Sequence, residues 1–348
     1  MKKLGLTAVA LAFILCPFTV QSAEKQIKFI FEYHGPATHN RAGNSAPMVG
    51  GFMDAVEKKS GGRIKFERHW GGEPVPVLEM LEAVRRGTLD IISETPNYYS
   101  GKIALGDIGM MPKTFRTNED LYDLWVNSPL GKIVEDSYQK RLGVKVLFPM
   151  IFGDSTVQVS RKSKKIRKLE DFNGLKIRAP GGIPHLVAKA LGSSPVSIVG
   201  GEYYTAMQRG TIDAGIMTTY SLESYKMWEV CDQVVLPPVF HNCFMLWFIN
   251  NEKWKELGPE LQNLMITTHK EMEPQFISFN VEDDTRVIKL AKEKGIEIYT
   301  LPPAEQEKLY KAMDPVWDDY VEKCAKQGLE SEARQVRAIL EERFNKKK

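Results

Sequence analysis

An internal repeat constrains the fold of this chain more than any other feature of its sequence. Residues 79–90 read Glu, three residues, Ala, two residues, Arg-Gly-Thr, an aliphatic residue and Asp, and residues 202–213 repeat this order. In each copy a helical pattern ends at a glycine, Gly87 or Gly210, which suits the left-handed residue after a helix. A short apolar strand pattern follows. Two copies of this helix–glycine–strand unit predict two similar α/β lobes.

The segments around each copy extend this alternation of strands and helices. The flanking patterns are strand 27–33, helix 48–59 and strand 63–70 in the first half, and strand 174–178, helix 184–191 and strand 194–199 in the second. The order strand–helix–strand–helix–strand therefore occurs twice, which is typical of α/β domains. We assign residues 24–150 to lobe I and residues 151–238 to lobe II.

The last third of the chain is expected to connect the two lobes. Residues 239–348 should form a lobe-crossing strand, a long helix that spans both lobes, and C-terminal helices that pack on both. The long helical pattern covers 259–294 and should bend at Pro274, because proline lacks the N–H that continues a helix. Two strand segments that pass from one lobe to the other, near residues 149–154 and 237–241, form the predicted hinge.

The N-terminal segment is typical of an export signal. Lys2 and Lys3 precede an apolar run from Leu4 to Val20, and the small residues at 22–23 then offer a cleavage site. This layout predicts a signal peptide over residues 1–23 and a periplasmic mature protein, with a retained N-terminal anchor as the alternative. No later segment has the eighteen or so continuous apolar residues of a membrane-spanning helix.

Charge and cysteine content exclude several classes of protein. The two lysines of the signal account for most of the formal net charge of +3, so the sequence gives no reason to expect nucleic acid as a partner. Cys231, Cys243 and Cys324 are an odd set for an exported protein, and a bridge between the first two stays open. No spacing of metal-ligating residues occurs, and we expect neither a metal nor a cofactor.

The motifs of the common enzyme classes are missing. The sequence has no Gly-x-Ser-x-Gly turn, no Walker loop and no Gly-x-Gly-x-x-Gly turn. His241 and Cys243 could imitate a nucleophile pair, but the apolar run 244–249 that follows favours a place in the core for Cys243. We expect a binding protein rather than an enzyme, and a periplasmic enzyme stays as an alternative.

One segment resembles a known family. Residues 169–180 read Leu-Glu-Asp-Phe-Asn-Gly-Leu-Lys-Ile-Arg-Ala-Pro, which is similar to DctP-type substrate-binding proteins of tripartite ATP-independent periplasmic (TRAP) transporters. Residues 192–196, 202–213 and 250–254 match further motifs of that family in the same order. The resemblance implies a two-lobed periplasmic binding protein fold with a hinge. It implies a monomer that closes on a small carboxylate and presents it to the TRAP membrane permease subunits. A binding protein of an ABC importer or a sensor kinase is the alternative.

The resemblance also implies the main contact with the ligand. In the family, the arginine at the position of Arg178 pairs with the ligand carboxylate, and a planar guanidinium can hold a carboxylate through two parallel hydrogen bonds. Without the resemblance, a structural arginine that pairs with a carboxylate of the protein itself is equally compatible with the sequence. Gln158 stands where some members place a second polar contact.

Other candidate contacts follow from the ends of predicted strands, where ligands bind in α/β folds. These candidates are Tyr33, His34, Glu94, Thr95, Asn97 and Tyr98 in lobe I, Phe152 near a crossing, and Thr218 and Tyr220 in lobe II. Family members often carry a Glu-Asn or Glu-Trp pair after the second Arg-Gly-Thr copy, whereas this chain has Ile216 and Met217. That departure argues against a metal-bridged 2-oxo acid and favours a less polar ligand.

Overall fold

The computed structural model describes residues 26–115 and 117–345, without the side chains of residues 118, 242, 344 and 345. The predicted signal peptide, residues 1–23, lies outside these ranges. Within them, every helix is too short or too polar to cross a membrane.

The first half of the described chain alternates strands and helices as the sequence predicts. Its elements are β1 (Ile27–Tyr33), α1 (Val49–Lys59), β2 (Ile64–Trp70), α2 (Val77–Arg86), β3 (Ile91–Glu94), two 3₁₀ segments (Pro96–Tyr99 and Ala104–Met110), α3 (Asn118–Asn127), α4 (Leu130–Leu142) and β4 (Val144–Ser160).

The second half repeats the alternation and then becomes helical. Its elements are β5 (Lys176–Ala179), α5 (Gly182–Ala190), β6 (Ser194–Ser197), α6 (Tyr203–Arg209), β7 (Ala214–Thr218), α7 (Ser221–Ser224), β8 (Cys231–Asn250), α8 (Asn251–Glu293), β9 (Glu297–Thr300), α9 (Pro303–Ala312), α10 (Val316–Lys326) and α11 (Glu330–Asn345). The C-terminal helices expected from the sequence are thus α9, α10 and α11.

The described strands form one mixed sheet in the order β2-β1-β3-β8-β4-β7-β5-β6, with β9 beside β8. β1 is parallel to β2 and β3, and β5 is parallel to β6 and β7. β3 then meets β8, and β7 meets β4, in antiparallel pairs. The predicted α/β class with two similar halves is confirmed. Here lobe I denotes the half that carries β1–β3 and lobe II the half that carries β5–β7; the residue boundaries assigned to them remain a prediction.

The repeated glycines end their helices as expected. Gly87 has φ 77° and ψ 16°, and Gly210 has φ 75° and ψ 20°, so both are left-handed caps. A residue with a Cβ is strained in this conformation, which explains why both copies have glycine there.

The repeated aspartates tie each unit to the neighbouring strand. An Oδ2 of Asp90 accepts a hydrogen bond from the backbone N–H of Ile30 at 2.7 Å, and Oδ2 of Asp213 accepts one from the N–H of Lys176 at 2.8 Å. Each aspartate also donates its own N–H to the carbonyl of the same partner. The two copies therefore make the same contact in the two lobes, and Ile30 and Lys176 occupy equivalent positions.

The two long central strands pass through both lobes. β4 has 17 residues and β8 has 20, and their pairing shifts register several times between residues 146 and 160. Gly153, with φ 90°, lies in the middle of this irregular stretch. Register shifts bend a strand pair, so the ladder changes direction here. The crossings predicted at 149–154 and 237–241 fall within these two strands.

Alternate residues of β8 serve the two sides of the sheet. Phe244, Leu246 and Phe248 pack in one apolar cluster, and Trp247 and Ile249 pack in another. All five are buried. The apolar run in the sequence therefore reflects a strand covered on both faces, as predicted.

The long helix α8 starts earlier than predicted, at Asn251, because the Asn250 side chain caps it by accepting from the N–H groups of residues 252 and 253. Its one non-helical residue is Gly258, with φ 67° and ψ 167°. The backbone break thus lies just before Pro259, which needs no N–H partner at the start of a helical turn. The bend expected at Pro274 produces no such break in the dihedral angles.

Candidate functional site

A cavity between the two lobes brings together residues from several strand ends. The space between its atoms, part of which is open to solvent, is about 430 Å³. Its lining residues are His34, Thr95, Asn97, Tyr98, Met110, Ser155, Arg178, Pro180, Pro184, Ile216, Met217, Thr218, Tyr220, Cys243 and Met245. A larger groove lies among residues 109–115, the crossing segment 238–241 and the C-terminal helices. We take the smaller cavity as the candidate site because it alone of the two contains a buried guanidinium.

Arg178 is the central charged group of this cavity. Only 3% of its surface is exposed. Its Nε donates to the carbonyl of Ile198 at 2.9 Å, and Nη1 donates to the carbonyl of Ile216 at 3.0 Å and to Sδ of Met217 at 3.1 Å. Among the described residues, no carboxylate pairs with Arg178 and no acceptor contacts Nη2. An arginine keeps its charge in proteins, so this buried cation has no counter-ion from the described chain.

The strands around Arg178 explain how it is held. In the ladder, Arg178 of β5 lies opposite Gly215 of β7. The ring of Tyr203 packs close to Gly215, since a Cβ added there would lie 2.4 Å from that ring. The guanidinium in turn lies over the Tyr203 ring, 5.7 Å from its centroid. The glycine therefore lets an aromatic ring support the arginine from behind.

Gln158, predicted as a second polar contact, lies outside the lining of the cavity. Its amide is fully buried and bonded within lobe II. Its Nε2 donates to Oγ of Ser221 at 2.9 Å, and its Oε1 accepts from the hydroxyl of Tyr203 at 3.3 Å. On the same strand, Ser155 lines the cavity instead.

His34 and Glu94 form a buried pair on the lobe I side. The Nδ1 of His34 lies 2.8 and 2.9 Å from the two carboxylate oxygens of Glu94, and the His34 N–H donates to the same group at 2.9 Å. Adjacent strands β1 and β3 end at this point, which brings the two residues together. His34 lines the cavity, whereas Glu94, predicted to line it, is fully buried behind the imidazole.

The segment after β3 supplies the rest of the lobe I wall. Thr95, Asn97 and Tyr98, which were predicted as ligand contacts, line the cavity. The hydroxyl of Thr95 donates to Oδ1 of Asn97 at 2.7 Å, which fixes this turn. Burial raises the pKa of Tyr98, although the charge of nearby Arg178 acts to lower it, so the hydroxyl stays protonated.

Contacts between the lobes close the rim of the cavity. The N–H of Gly200 donates to the Tyr98 hydroxyl at 2.9 Å, and the N–H of Gly182 donates to Oγ of Ser100 at 3.0 Å. Asp107 lies against the start of α5, where its buried carboxyl has a pKa raised to about 7. Burial raises this pKa more than Lys323, the N–H of Ile183 and Asn97 lower it. The structure therefore shows the lobes in contact.

Tyr33 and Phe152 support the site without lining it, in contrast to their prediction. The ring of Tyr33 packs edge-on against Trp70, with centroids 6.2 Å apart, in the apolar cluster of lobe I. Phe152 is fully buried, and its ring meets that of Tyr220 with centroids 6.0 Å apart. Its carbonyl accepts from Arg41. Tyr220 itself lines the cavity, together with Thr218, as predicted.

The three cysteines within the described residues are free thiols, so the bridge left open between Cys231 and Cys243 is not formed. Cys243 lines the cavity at the lobe crossing instead of packing only in the core. Burial raises the pKa of its thiol to about 11, which leaves it un-ionised and unsuited as a nucleophile. Among the residues described, no three His, Cys, Asp or Glu side chains cluster as a metal site would require.

An apolar set of lining residues escaped the sequence reasoning. Met110, Met245 and Pro184 line the cavity, but each lies in a buried apolar segment without a polar motif. Ile216 and Met217 stood out only as a departure from the family pattern. Met110, Met245 and Pro184 could therefore be assigned to the cavity only from the folded structure.

Comparisons with known proteins show which family and which proteins this chain is similar to. The model of the family described as bacterial extracellular solute-binding protein, family 7 (DctP) matches residues 44–323. A solute-binding protein of Albidiferax ferrireducens is 27% identical over 285 residues, which cover 80% of this chain and 83% of that protein. The 2,3-diketo-L-gulonate-binding periplasmic protein YiaO of Escherichia coli is 26% identical over 252 residues, which cover 72% of this chain and 75% of YiaO.

Two solved structures share the fold. A TRAP periplasmic solute binding protein from Desulfovibrio salexigens with bound orotic acid has a TM-score of 0.82 at 17% identity, over 92% of this chain and 99% of that chain. A TRAP periplasmic solute binding protein from Rhodoferax ferrireducens with bound malonate has a TM-score of 0.77 at 24% identity. The match covers 90% of this chain and 98% of that chain. The two-lobed fold class is thereby confirmed.

Proposed function

We propose that this chain, which belongs to the DctP family of bacterial extracellular solute-binding proteins, captures a small organic acid between its lobes and delivers it to a TRAP-type membrane permease. The observation that carries the proposal is Arg178, a buried guanidinium with no carboxylate partner in the described chain. A solute carboxylate is the counter-ion that fits this position. Proteins of the same fold bind malonate, orotic acid and pyroglutamic acid.

Binding in this proposal involves no covalent step. The solute enters an open cleft, and its carboxylate accepts hydrogen bonds from the side of Arg178 that faces the cavity. Residues of lobe I, among them His34 and Tyr98, then contact the solute body. Because the solute contacts both lobes only when they approach each other, it stabilises the closed state by its differential affinity. The permease would recognise that closed form.

The proposed location is the periplasm, after cleavage of the signal peptide predicted over residues 1–23. Related proteins such as YiaO carry the word periplasmic in their names, which supports this location. We propose a monomer that works with TRAP permease subunits and without nucleic acid.

The test is a screen of organic acids by thermal shift, followed by calorimetry on the wild type and on Arg178→Ala. Ligands that bind the native state raise apparent stability, so binders appear as an increase in Tm. Loss of one partner of a buried, charge-assisted contact costs about 2–5 kcal/mol, which is a decrease in affinity of about thirtyfold or more. Arg209→Ala, at an exposed arginine that ends α6, is the control and should bind like the wild type.

Thermal unfolding of both variants without ligand separates a folding defect from a binding defect. Equal affinity of Arg178→Ala and wild type for the acids that bind would overturn the role of Arg178. Chemical turnover of a bound acid, followed by product analysis, would overturn the assignment as a pure binding protein.

A further inference from the structure

The two walls of the cavity differ in charge, and this difference restricts the solute. Resting on the proposed function, we infer that the solute has a single carboxylate, a compact and largely apolar body, and a hydroxyl or N–H donor that faces lobe I. The three parts of this inference come from three separate features: the lone guanidinium, the His34–Glu94 pair and the sulfur-rich wall.

Lobe II offers one anion site. Arg178 is the single lysine or arginine among the lining residues, and two of its three nitrogens are already bonded to the protein. The other buried arginine among the described residues is Arg41, whose guanidinium is bonded to the carboxylates of Asp283 and Asp284. Arg41 therefore cannot serve as a second clamp. The cavity has room for one carboxylate to be neutralised.

Lobe I offers no net positive charge to a second carboxylate. With a neutral imidazole, the His34–Glu94 pair carries the full negative charge of Glu94. With a protonated imidazole, the pair is neutral. Both carboxylate oxygens of Glu94 are occupied by His34 and the group is fully buried. A dicarboxylate would thus place its second charge beside a buried carboxylate in a poorly solvated site, where repulsion is strong.

The same pair presents an acceptor to the solute. Because Nδ1 of His34 lies within hydrogen-bond distance of both oxygens of Glu94, the ring proton of a neutral imidazole belongs on Nδ1. Nε2 then carries a lone pair. It lies against Gly200 of lobe II, where an added Cβ would be 3.1 Å from Nε2 and 3.3 Å from the hydroxyl of Tyr225, and the His34 side chain also lines the cavity. No described residue donates to Nε2, so a solute hydroxyl or N–H is its natural partner.

The wall between these two poles is mainly apolar. Met110, Met217 and Met245 contribute thioethers, and Ile216 and Pro184 contribute hydrocarbon. Methionine side chains adapt to the outline of an apolar body. A hydroxyl placed against them would lose its hydrogen bonds to water without replacement, which weakens binding by about five- to 150-fold. This wall disfavours an acid with many hydroxyl groups and favours a ring or a short hydrocarbon chain.

Two matched series of acids test the inference by calorimetry at pH 8. The aromatic series is benzoate, 3- and 4-hydroxybenzoate, isophthalate and terephthalate, and the aliphatic series is pentanoate, 5-hydroxypentanoate and adipate. Within each series the body is constant, and the second substituent is hydrogen, hydroxyl or carboxylate. We expect at least one hydroxy acid to bind about five- to tenfold more tightly than its parent, as one added hydrogen bond allows. Each dicarboxylate should bind at least about tenfold more weakly than that hydroxy acid.

Two variants assign the preference to the His34–Glu94 pair. His34→Phe keeps an aromatic ring but removes the acceptor, so the advantage of the hydroxy acid should disappear while the parent acid still binds. Glu94→Gln removes the buried charge, so the penalty on the dicarboxylate should shrink. His69→Phe is the matched control, because His69 also pairs with a glutamate in lobe I but does not line the cavity. The His69→Phe variant should leave the ratios of affinity between the parent acid, the hydroxy acid and the dicarboxylate unchanged.

The outcomes distinguish this inference from the proposed function. If a dicarboxylate binds more tightly than its hydroxy analogue, or if His34→Phe keeps the hydroxyl preference, the inference is overturned and the proposed function stands. The same holds if neither series binds while another acid from the wider screen does. If no organic acid binds at all, both fail. A hydroxyl preference that His34→Phe abolishes and His69→Phe retains supports the inference.

Discussion

Gly182, at the start of α5, controls whether the two lobes can meet. It has φ 53°, and a Cβ added to it would lie 1.8 Å from Oδ2 of Asp107 and 3.0 Å from Nδ2 of Asn97, both across the gap in lobe I. Gly182→Ala should therefore obstruct the closed state in particular. In an open state, where these lobe I groups have moved away, the new methyl group has free space.

The cost has two parts, and only one depends on closure. The left-handed backbone at Gly182 strains an alanine by about 1–2 kcal/mol in both states. The overlap with Asp107 adds to the closed state alone. A Cβ atom essentially never lies within 3.0 Å of a non-bonded atom, so either the Asp107 carboxylate or α5 must move by more than 1 Å. Overpacking of this kind typically costs about 1–3 kcal/mol, which predicts a five- to about hundredfold weaker affinity for the solute.

Gly174→Ala is the matched control for the backbone part. Gly174 is also in lobe II, has φ 74°, and has nothing within 4 Å of an added Cβ. Both variants should unfold at lower urea concentration than the wild type, but only Gly182→Ala should bind more weakly in calorimetry. Adding Asp107→Ala to Gly182→Ala removes the closer obstacle and should restore part of the affinity. Equal affinities for the two glycine variants would refute the reasoning.

Two further predictions concern stability. Burial raises the pKa of Glu32 to about 7, so the folded protein binds a proton that the unfolded chain has lost between about pH 4.5 and 7, and stability falls as pH rises through that window. The Glu32→Gln variant lacks this titrating group, so its free energy of unfolding should not fall in this way. Measured by urea unfolding, the free energy of unfolding of the variant should rise relative to that of the wild type by up to about 3 kcal/mol between pH 5 and pH 8. A difference between the two proteins that does not change with pH would contradict the assignment. Arg41→Met leaves two carboxylates of α8 without their buried partner and should lower the free energy of unfolding by about 3–5 kcal/mol. Arg334→Met, which breaks an exposed pair within α11, should cost less than about 1 kcal/mol, and similar losses in both variants would contradict the role of Arg41.

The repeated unit was predictable because its signals are local. A helix that ends at a left-handed glycine and an aspartate that follows four residues after the last helical residue are written in consecutive residues, and α2 and α6 end where the sequence predicts. The 3₁₀ segment Ala104–Met110 had no such signal. All of its residues are buried, and Gly109 is needed because an added Cβ would lie 2.4 Å from the ring of Phe244. That requirement comes from a strand more than a hundred residues away.

The candidate site was predictable as a set of strand ends but not residue by residue. Arg178 and residues of the turn after β3 line the cavity, whereas Tyr33 and Glu94 lie outside its lining, next to His34 and Thr95, which belong to it. Successive side chains of a strand point to opposite faces, so an error of one residue moves a side chain from the cavity into the core. The end of each strand decides which face is which, and that end is set by pairing with distant strands.

The equivalence of the two lobes places a buried glutamate and a buried arginine at corresponding positions. Asp90 and Asp213 bind Ile30 and Lys176 in the same way, so the residues two positions further on, Glu32 and Arg178, also correspond. Both are buried. A buried glutamate can become neutral by binding a proton, and the pKa of about 7 shows that Glu32 does so readily. Arginine cannot lose its charge in the same way. Equivalent positions of one repeated scaffold therefore hold a group that can be neutral in lobe I and a permanent cation in lobe II, and only the cation requires a counter-ion.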